Sequence, residues 1–169
     1  MKRKINVWDY AGDIMKAVEV GALITAQADG RANPMSIGWG TLGIQWNQPI
    51  FIAYVRESRY TRELLDQNPE FTVNIPLGKC DPQILQLCGT RSGREIDKIA
   101  ELGLTTVPGE TVSVPAIREL PLTLECKLVY RQLQQARDVA EPLFSEFYPE
   151  PVDAHVAYYG QITAAYILE

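Results

Sequence analysis

A chain of 169 residues can form one domain with a sizeable core but is too short for two ordinary domains, so we predict a single domain over residues 1–169. Its hydrophobic fraction of 46% and charged fraction of 22% are typical of a soluble globular protein. The net charge of −5 argues against general affinity for nucleic acid or for anionic membranes.

The lack of a recognisable targeting signal and the cysteine usage favour a cytoplasmic protein. No apolar run reaches transmembrane length, and residues 1–13 lack the apolar centre of a signal peptide. Cys80, Cys88 and Cys126 have no metal-ligand spacing, and any disulfide between two of them leaves the third unpaired. We therefore predict reduced thiols, with neither a bound metal nor a disulfide framework.

The first half of the chain predicts an antiparallel sheet. After a basic, irregular lead with a short helical turn near residues 13–18, residues 21–27 form a strand and 28–31 a hairpin turn, in which Asp-Gly supplies the positive-φ positions. The pattern then predicts a long strand over 32–46, a turn over 47–49 and a buried strand over 50–55.

One face of the predicted strand 32–46 carries little bulk. Asn33, Met35, Ile37, Trp39 and Thr41 share one face, whereas the other face carries the small residues Ser36, Gly38 and Gly40. Glycine packs nothing and weakens a strand, so it is found where a ligand or another backbone approaches closely. The pattern favours a flat ligand lying along this strand.

The next segment predicts an anion site. Ser58 is placed to cap a helix that begins near Arg59 and ends before Pro69. Arg56, Arg59 and Arg62 crowd this positive helix terminus, which is unfavourable unless an anion lies among them. The alternative is that Arg59 pairs with Glu63 while the other arginines are solvated. A flat ligand with a phosphate at one end suggests a mononucleotide such as FMN.

The middle of the chain predicts a strand, a helix and a basic loop. Residues 70–76 predict a strand, and 81–90 a helix with Asp81 as its cap and Pro82 in its first turn. Residues 89–98 form a basic loop that leads into a short helix. This loop is either solvated surface or a second wall of the ligand site, with Lys98 reaching the anion.

The second half adds further strands. We predict a short strand and turn over 102–110, an edge segment over 111–120, a long strand over 121–133 and a short helix over 140–151. The last strand, over 154–168, contains Gly160 as a bulge. About seven strands with few helices indicate a mainly β protein, and more specifically a β-barrel.

Six short motifs in this order resemble the flavin reductase-like family, and in particular its flavoredoxin-type branch. They are N-x-M-S-x-G-W-G (33–40), R-x-S-R-Y-T (56–61), E-F-T-V-N-I-P (70–76), S-G-R-x-x-D-K (92–98), L-x-x-E-C-x-L (122–128) and H-V-x-x-x-G-x-I (155–162). The resemblance covers about residues 15–166. It implies an FMN-binding split β-barrel of Greek-key topology with a few short helices. It also implies a homodimer with the flavin near the subunit interface.

The resemblance also implies which residues bind the cofactor. Those expected against the flavin ring are Asn33, Met35, Ser36, Ile37, Gly38, Trp39 and Gly40. Those expected around the phosphate are Arg56, Ser58, Arg59, Tyr60 and Thr61, with Ser92, Gly93 and Lys98 from the basic loop.

Three of the singled-out residues have alternative roles. Trp39 either contacts the ring or packs in the core or at an interface. His155, the single histidine, is either a hydrogen-bonded structural residue or an acid–base group. Cys126 lies in an apolar pattern and is expected to be a buried thiol.

Hydride transfer to a flavin requires little from side chains, so we expect no catalytic residue. The chain has no G-x-G-x-x-G after a strand, so any NAD(P)H would dock at the open side of the flavin pocket. The leading hypothesis is an FMN-dependent oxidoreductase that takes reducing equivalents from NAD(P)H. The alternatives are a flavoredoxin-like electron carrier served by a redox protein partner, and a non-enzymatic ligand-binding barrel.

Overall fold

The computed structural model describes all 169 residues and is mainly β. The strands are β1 (Lys2–Lys4), β2 (Ala22–Ala28), β3 (Arg31–Ile37), β4 (Gly40–Gln45), β5 (Gln48–Arg56), β6 (Glu70–Ile75), β7 (Thr106–Val107), β8 (Ala116–Ile117), β9 (Leu122–Leu133) and β10 (His155–Leu168). The α-helices are α1 (Ala11–Val20), α2 (Tyr60–Gln67), α3 (Pro82–Thr90), α4 (Lys98–Leu102) and α5 (Leu143–Phe147). Short 3₁₀ turns cover Val7–Tyr10 and Ala136–Asp138. None of the helices combines the length and apolar character that a membrane crossing requires.

The main sheet is antiparallel and curls back on itself. Its strand order is β3-β2-β6-β9-β10-β5-β4, with β1 added on β10, while β7 and β8 form a separate pair. The two edge strands, β3 and β4, follow each other in the chain with only Gly38 and Trp39 between them. The sheet must therefore curve until its edges meet, which produces a barrel with a seam between β3 and β4.

The seam corrects one prediction. The strand predicted over 32–46 is broken into β3 and β4, and its second half turns away to pair with β5 instead of continuing. The following turn also lies earlier than predicted, because Trp46 and Asn47 have the positive φ angles (51° and 56°) that join β4 to β5. The hairpin turn at Asp29 and Gly30 is confirmed by their positive φ angles.

The core fills the inside of the barrel, with α1 and α2 packed against it. Phe51, Phe71 and Tyr158 are fully buried at its centre. The predicted irregularity at Gly160 is confirmed, since the β9–β10 register shifts there. A Cβ at Gly160 would lie 2.4 Å from the ring of Phe71, so only glycine leaves room for that ring.

Local signals placed several elements correctly. Asp81 accepts a hydrogen bond from Gln83 N and caps α3, as predicted. The helix predicted near residues 13–18 is longer, and forms α1. Cys126 is fully buried as expected, and all three cysteines are free thiols.

A buried carboxylate, Glu125 on β9, holds the segment before β8 against the barrel. It accepts hydrogen bonds from Glu110 N (2.7 Å), Thr111 N (2.6 Å), Thr111 Oγ1 (2.7 Å) and Tyr166 Oη (2.8 Å). The Lys2 ammonium lies 3.9 Å away. Burial raises the pKa of Glu125, but these hydrogen bonds to the charged form outweigh burial and leave the pKa below its usual value.

Candidate functional site

A cavity of 180 Å³ runs along the end of β3 and the seam, and we call it the strand cavity. Its floor is the small-residue stretch predicted from the sequence, and β5 and β10 form its far side. The residues that line it are Met35, Ser36, Ile37, Gly38, Trp39, Tyr54, Arg56, Arg59 and His155. A Cβ on Gly38 would meet only Val18 O, at 4.0 Å, so packing does not require glycine there and its absent side chain leaves the cavity open.

A second cavity of 180 Å³ adjoins it at the start of α2, and we call it the cation cavity. Five cationic side chains and one carboxylate line it. The cations are Arg56, Arg59, Arg91, Arg94 and Lys98, the carboxylate is Asp153, and the other lining residues are Asn33, Met35, Ser58, Tyr60, Thr61, Ser92 and Gly93. Such an excess of positive charge favours an anionic ligand.

The two cavities share Met35, Arg56 and Arg59 and therefore adjoin, and we call the two together the groove. Every residue predicted for the site except Gly40 lines one of them. Gly40 lines a neighbouring cavity of 420 Å³, the side cavity, which shares Gly38, Trp39 and Tyr54 with the strand cavity. The structure thus brings together the strand, the arginine turn and the basic loop, which lie far apart in the sequence.

The arginines are held by main-chain carbonyl groups. Arg56 donates to Asp153 O (2.7 Å) and Phe147 O (3.0 Å), and Arg59 donates to Gly89 O (3.1 Å). The alternative in which Arg59 pairs with Glu63 is not observed. Because neutral carbonyl groups do not cancel a guanidinium charge, Arg56 and Arg59 remain available to attract an anion.

The remaining cations at the start of α2 are paired with carboxylates. Arg94 contacts Glu63, and Arg62 lies 3.6 Å from Asp66. Of the three arginines singled out near this helix, Arg62 alone lines neither cavity.

The prediction that Ser58 caps α2 is wrong. The cap position is Arg59, and no side chain accepts a hydrogen bond from the first helical N–H groups. Ser58 is instead turned outward, and its N–H and hydroxyl groups both donate to the Asp153 carboxylate, at 3.1 and 2.6 Å. The uncapped helix terminus keeps donors free beside the cation cavity.

Two predicted phosphate donors already have partners. The Thr61 hydroxyl accepts from Asn33 Nδ2 (3.1 Å) and donates to Met35 Sδ (3.3 Å), in a position that is 1% exposed. The Lys98 ammonium is 4% exposed and donates to Pro34 O and Cys88 O, both at 3.0 Å. Burial lowers the pKa of Lys98, and nearby Arg59 lowers it further.

The basic loop fits tightly against β3. A Cβ on Gly93 would lie 2.0 Å from Asn33 Oδ1, so this close approach needs glycine. Asp97 then caps α4 by accepting from Ile99 N and Ala100 N, which directs Lys98 under the groove.

Trp39 and His155 form one wall of the strand cavity. The Trp39 ring lies 4.8 Å from the His155 ring and packs edge-on against Phe147 at 5.2 Å, yet Trp39 is 41% exposed. His155 is buried, and its Nδ1 lies 3.0 Å from the Tyr148 hydroxyl. Burial, together with Arg56, lowers the pKa of His155 to about 4, so the ring is neutral at pH 7. This agrees with the hydrogen-bonded structural role.

The sequence reasoning missed Asp153 and Tyr54. Asp153 lies 95 residues from Ser58 in an irregular segment, and no local pattern marks it. Tyr54 was read as part of a buried strand, but it alternates with Ala53 and Val55 and therefore faces the opposite side of β5. The alternation of small and large residues along β5 was the sequence signal that could have identified Tyr54.

The curled antiparallel sheet, with a small-residue groove at its seam and a cation cluster at the end of that groove, has the architecture of a split β-barrel. The split-barrel fold is shared with a protein of Shewanella frigidimarina, at a TM-score of 0.68, with 19% identity over 88% of this chain and 67% of that one. The chain belongs to the flavin reductase like domain family, whose model matches residues 19–169.

Two relatives are closer in sequence. A flavoredoxin from Methanosarcina acetivorans is 28% identical, with a TM-score of 0.66 over 88% of this chain and 68% of that one. Protein YddH of Escherichia coli is 30% identical over 132 residues, which cover 78% of this chain and 68% of YddH.

Proposed function

We propose that the protein is an FMN-binding oxidoreductase of the flavin reductase type. The observation that carries the proposal is the groove, in which a cavity with an open, small-residue floor adjoins a cavity lined by five cations. FMN has this shape and charge distribution, with a flat ring at one end and a phosphate dianion at the other. Membership of the flavin reductase like family supports the same ligand.

The residues of the groove fit FMN. The open space over Gly38 admits a planar ring against the end of β3, with Ser36, Ile37 and Trp39 around it. Arg56, Arg59 and Ser58 would hold the phosphate, with Tyr60, Ser92 and Gly93 completing that end. Asn33, Met35 and Thr61 support the floor between the two ends, and Lys98 adds a buried positive charge beneath it.

The bound flavin would supply the two-electron chemistry, and the protein's residues would bind, orient and shield it. Trp39, Tyr54 and Tyr148 line the space beside the strand cavity. His155 is neutral and hydrogen-bonded to Tyr148, so it positions the wall rather than donating a proton at pH 7. No catalytic side chain is required.

The reductant NAD(P)H would enter through the side cavity. This cavity opens next to the strand cavity at Gly38, Trp39 and Tyr54, and its volume of 420 Å³ lies in the range of small-molecule sites. Glu19 and Gln134 supply polar groups at its rim.

Two titrations test the proposal. FMN added to the purified protein should quench flavin fluorescence, and NADH or NADPH should then bleach the flavin absorbance under argon. Bleaching identifies a reductase, whereas tight FMN binding without bleaching identifies an electron carrier served by a redox protein, an alternative favoured by the 28% identity to a flavoredoxin. Failure to bind FMN would leave a ligand-binding barrel of another kind.

We also propose that two copies associate and that the protein works in the cytoplasm. An exposed aromatic cluster supports association, because Trp46, Tyr130 and Tyr159 pack together on the outer face of the sheet with Trp46 55% exposed. Three free thiols support a reducing compartment. Light scattering on the wild type and on Trp46→Ala tests the first point, since a monomeric wild type would contradict it.

A further inference from the structure

Asp153 directs a negative charge at donors that an external anion would use. Its two carboxylate oxygens accept from Ser58 N (3.1 Å) and Ser58 Oγ (2.6 Å), and it is the one carboxylate that lines the cation cavity. These are the donors that the proposed function gives to the phosphate. A carboxylate and a phosphate cannot both take them, because Ser58 offers only one proton from each group.

The backbone of Asp153 is fixed independently of its side chain. Arg56 Nη1 donates to Asp153 O at 2.7 Å, and Glu57 N donates to Ala154 O at 2.9 Å. The side chain makes hydrogen bonds to Ser58 alone. Rotation about its side-chain bonds therefore removes the carboxylate from Ser58 without breaking the hydrogen bonds that hold the segment.

We propose that Asp153 is an internal competitor for the anion site. Its carboxylate satisfies Ser58 when no external anion is bound, and it turns away when a phosphate group binds. The Asp153 charge also repels a nearby dianion, and this repulsion is strong where water is partly excluded. Phosphate binding is therefore weaker and more readily reversed than five cations alone would make it.

The competition acts on the phosphate and not on the ring. Riboflavin has the same ring as FMN but no phosphate, so it leaves Asp153 on Ser58. Asp153 consequently sets the preference of the site for FMN over riboflavin, and it favours a flavin that exchanges with solution. This use of FMN depends on the proposed function, whereas the competition itself applies to any phosphate.

The test compares wild type, Asp153→Asn and Asp153→Ala, with the exposed Asp9→Asn as the matched control for loss of one negative charge. Dissociation constants are measured for FMN, riboflavin and inorganic phosphate by calorimetry. We expect Asp153→Asn and Asp153→Ala to tighten FMN and inorganic phosphate by about tenfold, or 1.4 kcal/mol. Riboflavin binding should stay within about twofold, and Asp9→Asn should match the wild type.

Unchanged or weaker binding of FMN and inorganic phosphate by both Asp153 variants, with thermal midpoints like that of the wild type, would overturn the inference. It would mean that the carboxylate orients Ser58 for the ligand. If no variant binds a flavin but the Asp153 variants tighten inorganic phosphate, the competition stands and the proposed function fails. If FMN binds the wild type and the Asp153 variants do not bind FMN more tightly, the proposed function stands and the competition fails. No binding of any probe overturns both.

Discussion

The surroundings of Glu125 and the cation cavity balance charge in opposite ways. Glu125 is one buried anion that accepts four hydrogen bonds from its own protein. The cation cavity is lined by five cations and a single carboxylate. Arg91 and Arg94 pair with carboxylates outside the lining, which leaves Arg56, Arg59 and Lys98 as the surplus positive charge. A charged cluster that is satisfied internally holds the fold together, whereas one with surplus charge of one sign is suited to a ligand.

The largest effect should come from removing the carboxylate of Glu125 from its hydrogen-bond network. We expect Glu125→Ala to lower the free energy of unfolding by about 3–5 kcal/mol, because the buried Tyr166 hydroxyl and the partly buried donors of Thr111 lose their acceptor. Urea denaturation at pH 7 measures this loss, with the exposed Glu101→Ala as the control. A loss no larger than that of the control would mean that the network does not hold the segment before β8.

The same carboxylate sets a pH dependence. Its pKa is lower in the folded protein than in the unfolded chain, where a glutamate has a pKa of about 4.3. The stabilisation is therefore complete above that value and is lost as pH falls through the lower folded-state pKa. Glu125→Ala should lack this acid-dependent component of stability.

The next largest effect is a pH dependence of stability that comes from His155, which lies near Arg56 and Arg59. Burial and the arginines hold its pKa at about 4, against about 6.5 in the unfolded chain, so stability should fall as pH falls from about 6.5 to 4. The contribution lost is about 3 kcal/mol, and His155→Gln should remove this slope. Because His155 is the single histidine, one imidazole resonance reports its titration by NMR.

Filling the cation cavity should reverse part of that shift. A bound phosphate dianion offsets the charge of Arg56 and Arg59, so we expect FMN to raise the pKa of His155 above its value of about 4. Riboflavin, which lacks the phosphate, serves as the control. Equal effects of the two flavins would place the phosphate away from this histidine.

The next change removes one cation that has no carboxylate partner. Arg59→Met should weaken FMN by about tenfold to a hundredfold, since a hydrogen bond to a charged group contributes about 1.5–3 kcal/mol. Riboflavin affinity should stay nearly constant. Arg137→Met provides the control, because the Arg137 side chain is 82% exposed and lines neither cavity. Parallel losses for both flavins would show that Arg59 acts on the ring.

The smallest effect should come from the floor of the groove. Gly38→Ala adds a methyl group that meets only Val18 O at 4.0 Å, so the thermal midpoint should not change. The methyl group intrudes on the ring, and both flavins should weaken by about threefold to tenfold, or about 1 kcal/mol. Gly43→Ala, on β4 with no atom within 4 Å, is the matched control. If Gly38→Ala and Gly43→Ala bind flavin with equal affinity, the flavin ring does not lie against Gly38.

Local patterns in the sequence predicted most of the fold. The hairpin at Asp29 and Gly30, the cap at Asp81 and the bulge at Gly160 each depend on neighbouring residues, and all three are confirmed. The break at Gly38 and Trp39 was missed because the pattern continues into β4. What redirects the chain there is the pairing of β4 with β5, which is a tertiary contact.

The sequence predicted most of the residues that line the two cavities, but it did not predict their hydrogen bonds. Clustered arginines and small residues identified the lining. Ser58 looked like a helix cap because its residue type suits that position, yet α2 begins one residue later, with Arg59 at the cap position, and Ser58 donates to Asp153 instead. The Lys98 ammonium was expected to reach an anion, whereas it donates to Pro34 O and Cys88 O. Hydrogen-bond partners that are far apart in the sequence cannot be recognised from local sequence patterns.

The burial of Lys98 bears on how the site responds to ionic strength. Dissolved salt screens exposed charges over about 8 Å under physiological conditions and screens buried charges much less. The side chains of Arg91 and Arg94 are 53% and 43% exposed, whereas Lys98 is 4% exposed. Part of the attraction for an anion therefore persists in concentrated electrolyte, where clusters made only of surface arginines release their ligands.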